Sequence, residues 1–150
     1  MQIRPAAEKN LDSSQDDQGY DLLAGLFKKT GIEEMGHVEQ LAGRILFLKG
    51  EVEMVASGEV QKTHDVRAML ELARQIEEGS VKDYSLWANE CAANADSVSK
   101  KIFEGLVEDE ERHFNQYDIE MENIDKFGDR YLALQSIERS KSKSAGIAED

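Results

Sequence analysis

Residues 31–50 read GIEEMGHVEQLAGRILFLKG and residues 106–117 read LVEDEERHFNQY, and each stretch carries the spacing Glu-x-x-His: Glu34 with His37, and Glu110 with His113. Residues three apart on an α-helix share a face, so each pair aims one carboxylate and one imidazole at the same point. Two such helices can hold a pair of cations between them. A lone carboxylate, Glu77, stands in a third helical stretch between the two motifs.

Apolar periodicity predicts an all-α chain with three long helices, at about residues 20–49, 65–93 and 97–127, and a short helix at about 129–139. One core-facing stripe runs Leu23, Phe27, Thr30, Glu34, His37, Leu41, Ile45, Leu48. A second runs Val66, Leu70, Ala73, Glu77, Ser80, Tyr84, Trp87, Cys91, and a third Phe103, Leu106, Glu110, His113, Tyr117, Ile124. Every candidate ligand thus stands where the periodicity demands an apolar residue. Burying three carboxylates in one layer costs several kcal/mol per ion unless a cation compensates, so a cationic occupant is expected. Pairing with Lys or Arg, or bending out to solvent, would suffice for one of them but poorly accounts for three carboxylates and two imidazoles at one level.

Helix ends are marked as well. Gly50 after Lys49 offers a left-handed stop for the first helix, and Asp65 and Asp96 are placed as N-caps of the second and third. The connection from Gly50 to His64 is 15 residues, long enough to run the length of a bundle. Only Asn94-Ala95-Asp96 separate the second and third helices, which makes them antiparallel neighbours. Counting outward from that turn at ~1.5 Å per residue puts Glu77 and Glu110 within ~3 Å of the same height.

Composition sets the wider bounds. The 150 residues suffice for one domain with a core, and 40% are hydrophobic. Against 18 Lys and Arg stand 31 Asp and Glu, a net charge of −13 that repels phosphate backbones and draws in cations, so nucleic acid is not expected as a partner. No apolar run is long enough for a membrane span, and the start MQIRPAAEKN lacks a signal-peptide core, so a cytoplasmic protein without membrane contact is expected. The single cysteine, Cys91, has no intrachain partner and reads as a small core residue. Oxygen-rich ligation with one imidazole per metal suits iron or manganese better than a closed zinc site.

The stretches Ile32-Glu33-Glu34-Met35-Gly36-His37-Val38-Glu39, Arg44-Ile45-Leu46-Phe47-Leu48-Lys49-Gly50 and Leu106-Val107-Glu108-Asp109-Glu110-Glu111-Arg112-His113 closely resemble the bacterioferritins. So do the intervals, 43 residues from Glu34 to Glu77 and 33 from Glu77 to Glu110. The likeness covers about residues 20–139. It implies the ferritin-like four-helix-bundle architecture, whose dimetal ligand set is two Glu-x-x-His helices plus a single Glu from each of two others.

The resemblance further implies a di-iron ferroxidase centre in which Glu34 and Glu110 bridge, His37 and His113 each cap one iron, and Glu77 is terminal. The implied reaction is oxidation of Fe(II) by dioxygen or peroxide, with iron storage inside a shell made of many copies of the chain. Met35, in Glu-Met-x-His, matches the family's axial ligand to a haem b shared across a two-fold dimer. In the family one more Glu comes from an N-terminal helix. Residues 1–19 here, with Pro5 and the polar run ending at Gly19, read as a loop or remnant segment. Glu8 is the one alternative source of a sixth ligand there.

Residues 20–139 are therefore expected to be the helical domain, and residues 140–150 a disordered tail. His64 reads as a surface residue. Trp87 reads as core, and Tyr84 and Tyr117 as core fillers that stand near enough to the ligand layer to act as donors or radical sinks. Ferroxidase and iron storage is the expected function. A truncated, catalytically silent subunit with a structural or assembly role is the alternative.

Overall fold

The computed structural model describes residues 21–55, 63–128, 130–131, 133–135 and 137–138. Three long helices carry the chain: α1 (Asp21–Phe47), α2 (Val66–Ala93) and α3 (Ser97–Phe127). Residues 130–131, 133–135 and 137–138 are also helical, where the short fourth helix is expected. The expectations for residues 1–19, including the loop reading and Glu8, and for the tail at 140–150 lie outside the described residues.

The caps explain where α2 and α3 begin. Asp65 accepts from the Ala68 backbone N–H at 2.7 Å, and Asp96 accepts from the Ser99 N–H at 3.0 Å, each satisfying a donor that helix geometry leaves orphaned. Arg44 reaches from α1 to the same Asp96, with Nη2 2.7 Å from Oδ1, and donates from Nε to Ser99 Oγ at 2.8 Å. One aspartate thereby starts α3 and ties α1 to the α2–α3 turn.

The helix ends differ from the expectation at one residue. Gly50 does not take the left-handed conformation; Lys49 does, with φ 64°. The Lys49 N–H donates to Leu46 O at 3.0 Å and the Gly50 N–H to Ile45 O at 2.9 Å, the paired bonds of a Schellman stop. Gly50 is needed there for a close approach, since a Cβ on it would lie 2.9 Å from Ile45 Cγ2. The same stop ends α2 with Ala95 at φ 57°, where the Ala95 N–H donates to Ala92 O and the Asp96 N–H to Cys91 O. Leu48, expected on the core stripe, is 54% exposed because α1 stops at Phe47 and the chain leaves the helical path.

The short Asn94–Asp96 turn folds α2 back along α3, and α1 packs across α3. Their buried faces form two apolar clusters. Toward one end lie Leu23, Phe27, Val66, Met69, Leu70, Ala73, Tyr117 and Met121, with Phe27 stacked on Tyr117 at 5.4 Å. Toward the other lie Leu41, Ala88, Phe103 and Leu106, flanked by Tyr84, Trp87 and Cys91. Between them is a layer of buried polar residues: His37, Glu77, Glu110 and His113.

Asp96 sets a pH-dependent stability term. The Ser99 hydroxyl and backbone N–H, then Arg44, hold its carboxyl below the ordinary value of 3.8. Its contribution is complete above pH 3.8 and is lost only as pH falls through the lower folded-state pKa. Asp96→Ala therefore melts at a lower temperature than the parent at neutral pH, and thermal melts at stepped pH show the gap closing only in strong acid. A gap that stays constant with pH would remove Asp96 from this role.

Candidate metal centre

The two Glu-x-x-His motifs sit at mid-length on α1 and α3, and Glu77 comes from the middle of α2, so three helices feed one layer. Donor atoms of Glu34, Glu77, Glu110 and His113 all lie within 4.8 Å of one another. His37 joins from the other side, with Nδ1 3.3 Å from both Glu34 Oε2 and Glu110 Oε1. His113 Nδ1 is 3.2 Å from Glu34 Oε1, 3.5 Å from Glu110 Oε2 and 3.9 Å from Glu77 Oε1. All five expected ligands are thus brought together. Glu34 and Glu110 lie between the two imidazoles, whose ring centres are 6.1 Å apart.

The exposure of these groups makes the arrangement chemically demanding. Glu110 and His113 are 0% exposed and Glu77 1%. Glu34 Oε1, both Glu110 oxygens and the Nδ1 atoms of His37 and His113 are buried without a well-aligned hydrogen bond, although opposite charges stand nearby. Buried polar atoms are normally satisfied, and each exception requires a cause. A divalent cation bound at these oxygens and Nδ1 atoms would be such a cause. The residues fit it: hard carboxylate oxygens with one imidazole at each end suit iron or manganese. The two halves are unequal. Beside His113 the described residues offer Glu34, Glu77 and Glu110; beside His37 they offer Glu34 and Glu110.

Protons hold the cluster together electrostatically. Burial works against the charged His37 ring, but Glu110 and Glu34 outweigh it and raise its pKa to about 10. Burial likewise opposes a charged His113, yet Glu110, Glu34 and Glu33 bring it to about 10. Burial would raise the Glu110 carboxyl, but His113 and His37 hold it down at about 2.

Two carboxylates that sequence spacing did not single out complete the surroundings. Glu33 Oε2 accepts from His113 Nε2 at 2.6 Å, and Asp109 Oδ2 accepts from His37 Nε2 at 3.2 Å. A carboxylate only accepts, so each Nε2 carries the hydrogen and each Nδ1 is left to face the cluster. Each brace comes from the opposite helix, α1 to α3 and α3 to α1. The available signal was that both motifs read acid-Glu-x-x-His, as Glu33-Glu34 and Asp109-Glu110.

Other candidates fall outside the ligand layer. Met35 is 37% exposed on the flank of α1, away from the cluster. His64 is exposed beside the α2 N-cap. Tyr117 is fully buried against Phe27, and Tyr84 packs with Trp87 at 5.6 Å and Phe103 at 6.0 Å. Burial first, then Glu110, Glu34 and Glu77, push the Tyr84 hydroxyl pKa up, which keeps it protonated beside the site.

Glu110→Gln keeps the shape of the central side chain and removes its charge, leaving two buried imidazoles short of a counter-ion. Breaking a buried ion pair in this way costs roughly 3 kcal/mol. Denaturant unfolding in the presence of a chelator measures it, and an unchanged midpoint would mean that Glu110 is not the electrostatic centre of the layer.

The sequence matches the family described as the ferritin-like domain over residues 9–127. It is 33% identical over 124 residues to the bacterioferritin of Desulfovibrio desulfuricans, a match covering 83% of this chain and 69% of that protein. It is also 33% identical over 120 residues to the bacterioferritin of Rhodobacter capsulatus, covering 80% and 74%. Among solved structures, the D. desulfuricans bacterioferritin, described by its diiron site in different catalytic states, superposes with a TM-score of 0.83 at 32% identity over 85% of this chain and 75% of that one. The R. capsulatus bacterioferritin, described as having a metal-free dinuclear site and haem iron in a crystallographic special position, gives 0.82 at 31% identity over 87% and 81%.

Proposed function

This chain belongs to the ferritin-like family, as a homologue of the bacterioferritins, and from that premise we propose that it takes up Fe(II) at the buried cluster and oxidises it for storage. The observation that carries this reading is the convergence of two buried Nδ1 atoms on carboxylates that lack aligned hydrogen-bond donors. Glu34, Glu110, His37, His113 and Glu77 would hold the iron, with Glu34 and Glu110 lying between the two imidazoles and Glu77 on the His113 side. Iron held there would supply one-electron redox chemistry toward dioxygen or peroxide.

The electrons balance in pairs. Two Fe(II) lose one electron each; dioxygen takes both with two protons and leaves as hydrogen peroxide. A second pair of Fe(II) with two further protons converts peroxide to two waters. The residues of this chain contribute position and environment. Glu33 and Asp109 fix the ring orientations, the apolar clusters on either side of the layer restrict water, and the fixed carboxylates offset the charge of Fe(III) more strongly than that of Fe(II).

The same reading extends to assembly. Ile32, Met35, Leu46 and Phe47 leave apolar surface along α1. We assign that surface to contacts between copies in an oligomeric shell, where Met35, exposed on the α1 flank, would hold a haem b between two copies. Nucleic acid has no place in this reading, and no helix among the described residues is long and apolar enough to cross a membrane.

Anaerobic Fe(II) calorimetry tests the centre: two irons per chain are expected in the parent, and Glu110→Ala is expected to lose this binding. Stopped-flow absorbance after dioxygen is admitted then reads the oxidation. Metal bound without turnover would return the chain to the class of structural subunits. Metal loading also carries a pH signature. With both imidazoles near pKa 10, each is protonated at pH 7 and must lose a proton when Nδ1 binds metal. Loading at pH 7 should therefore release at least two protons per chain, and affinity should rise toward pH 10 in buffers of matched ionic strength. Absence of proton release would mean that the imidazoles are already neutral at pH 7 before metal binds.

A further inference from the structure

We propose that Arg112 is a positioning residue for both imidazoles at once, coupling the two halves of the centre through a single guanidinium. The inference rests on the metal reading above but concerns the chain's own side chains. Arg112 Nη1 donates to Glu33 Oε2 at 3.0 Å, and Nη2 donates to Asp109 Oδ1 at 2.8 Å. These are the two carboxylates that accept from His113 Nε2 and His37 Nε2. A continuous path therefore runs from His37 through Asp109, Arg112 and Glu33 to His113.

The geometry needs this residue type at this place. Arg112 fills the position between Glu110 and His113, three residues after Asp109, so a helical i,i+3 contact brings it to one carboxylate while its other nitrogen spans to α1. The corresponding place in the α1 motif is Gly36, which has no side chain to offer. One clamp on α3 therefore serves both rings.

Without Arg112 the braces lose their anchor. The Glu33 and Asp109 side chains are 29% and 43% exposed, and Lys29 stands 3.8 Å from Glu33 as a weaker contact. Ion pairs this exposed add little to stability, so the consequence of the clamp is orientation. The planar fork fixes the separation of the two carboxylates, which a lysine ammonium cannot do. Removing an outer partner of a metal-binding histidine weakens metal binding by about 10–100-fold, and Arg112 acts on two such partners.

The test compares the parent with Arg112→Ala, Arg112→Lys and Glu33→Gln, each checked for folding by thermal melting. First, the metal-free proteins, labelled with 15N at their three histidines, are studied by solid-state NMR for the order of each Nε2–H bond. Arg112→Ala should loosen the His37 and His113 rings together and leave the exposed His64 as it was. Arg112→Lys should fail to restore them, and Glu33→Gln should loosen His113 alone. Second, Co(II) titration followed by the visible ligand-field bands should show affinity falling about tenfold at both positions in Arg112→Ala.

Rings unchanged, or only one ring loosened, in Arg112→Ala would overturn the shared clamp whatever the metal result. Loosened rings with parental Co(II) affinity and bands would overturn the positioning role. A parent that binds no Co(II), while Arg112→Ala still loosens both rings, would instead defeat the metal reading and leave the clamp standing.

Discussion

The structure depends on one constraint: three carboxylates and two imidazoles must share a layer that water barely reaches. Ionised groups cannot be moved into an apolar interior singly, so they must be brought there together. In this chain Glu34 and Glu110 both touch the two sides, and Glu110, the fully buried one, stands 3.3 Å from His37 Nδ1 and 3.5 Å from His113 Nδ1. Helices α1, α2 and α3 have to meet at that height for the charges to compensate one another. The apolar clusters on either side of the layer then close around it, with Phe27 and Tyr117 stacked on one side and Trp87 edge-on to Phe103 at 5.6 Å on the other.

Protons and metal ions are interchangeable solutions to the same electrostatic problem. With the imidazoles raised to about 10, the metal-free layer is held by protons at neutral pH. Glu33 and Asp109 accept from the Nε2–H of each ring, which leaves Nδ1 as the nitrogen whose proton a metal would replace. The inner nitrogens face the carboxylates at 3.2–3.5 Å without aligning as donors, a spacing into which a cation can be drawn. Preorganisation of this kind lowers the reorganisation that binding would otherwise require.

The five residues of the layer were legible because helical periodicity is local. Glu34 with His37 and Glu110 with His113 need only the i,i+3 rule, and the levels of Glu77 and Glu110 follow from counting residues out from a three-residue turn. The starts of α2 and α3 were legible for the same reason, since Asp65 and Asp96 act on residues three positions ahead. What depends on how helices cross was not. The exchange of Glu33 and Asp109 between α1 and α3, and the reach of Arg112 across them, fix no periodic signal in either helix. The stop of α1 was misread for a different reason. Glycine is the usual left-handed residue, but here Lys49 and Ala95 hold those positions and Gly50 serves a close contact with Ile45.

The central claim is that two metal ions occupy this layer, bridged by Glu34 and Glu110 and each closed by an Nδ1. Anomalous diffraction from crystals loaded anaerobically with Fe(II), collected on both sides of the iron absorption edge, tests it most directly. The account predicts two iron peaks between α1 and α3, one at His37 Nδ1 and one at His113 Nδ1, with Glu77 on the second. Iron absent from the layer, or a single peak at the exposed Glu33 and Asp109 carboxylates, would contradict it.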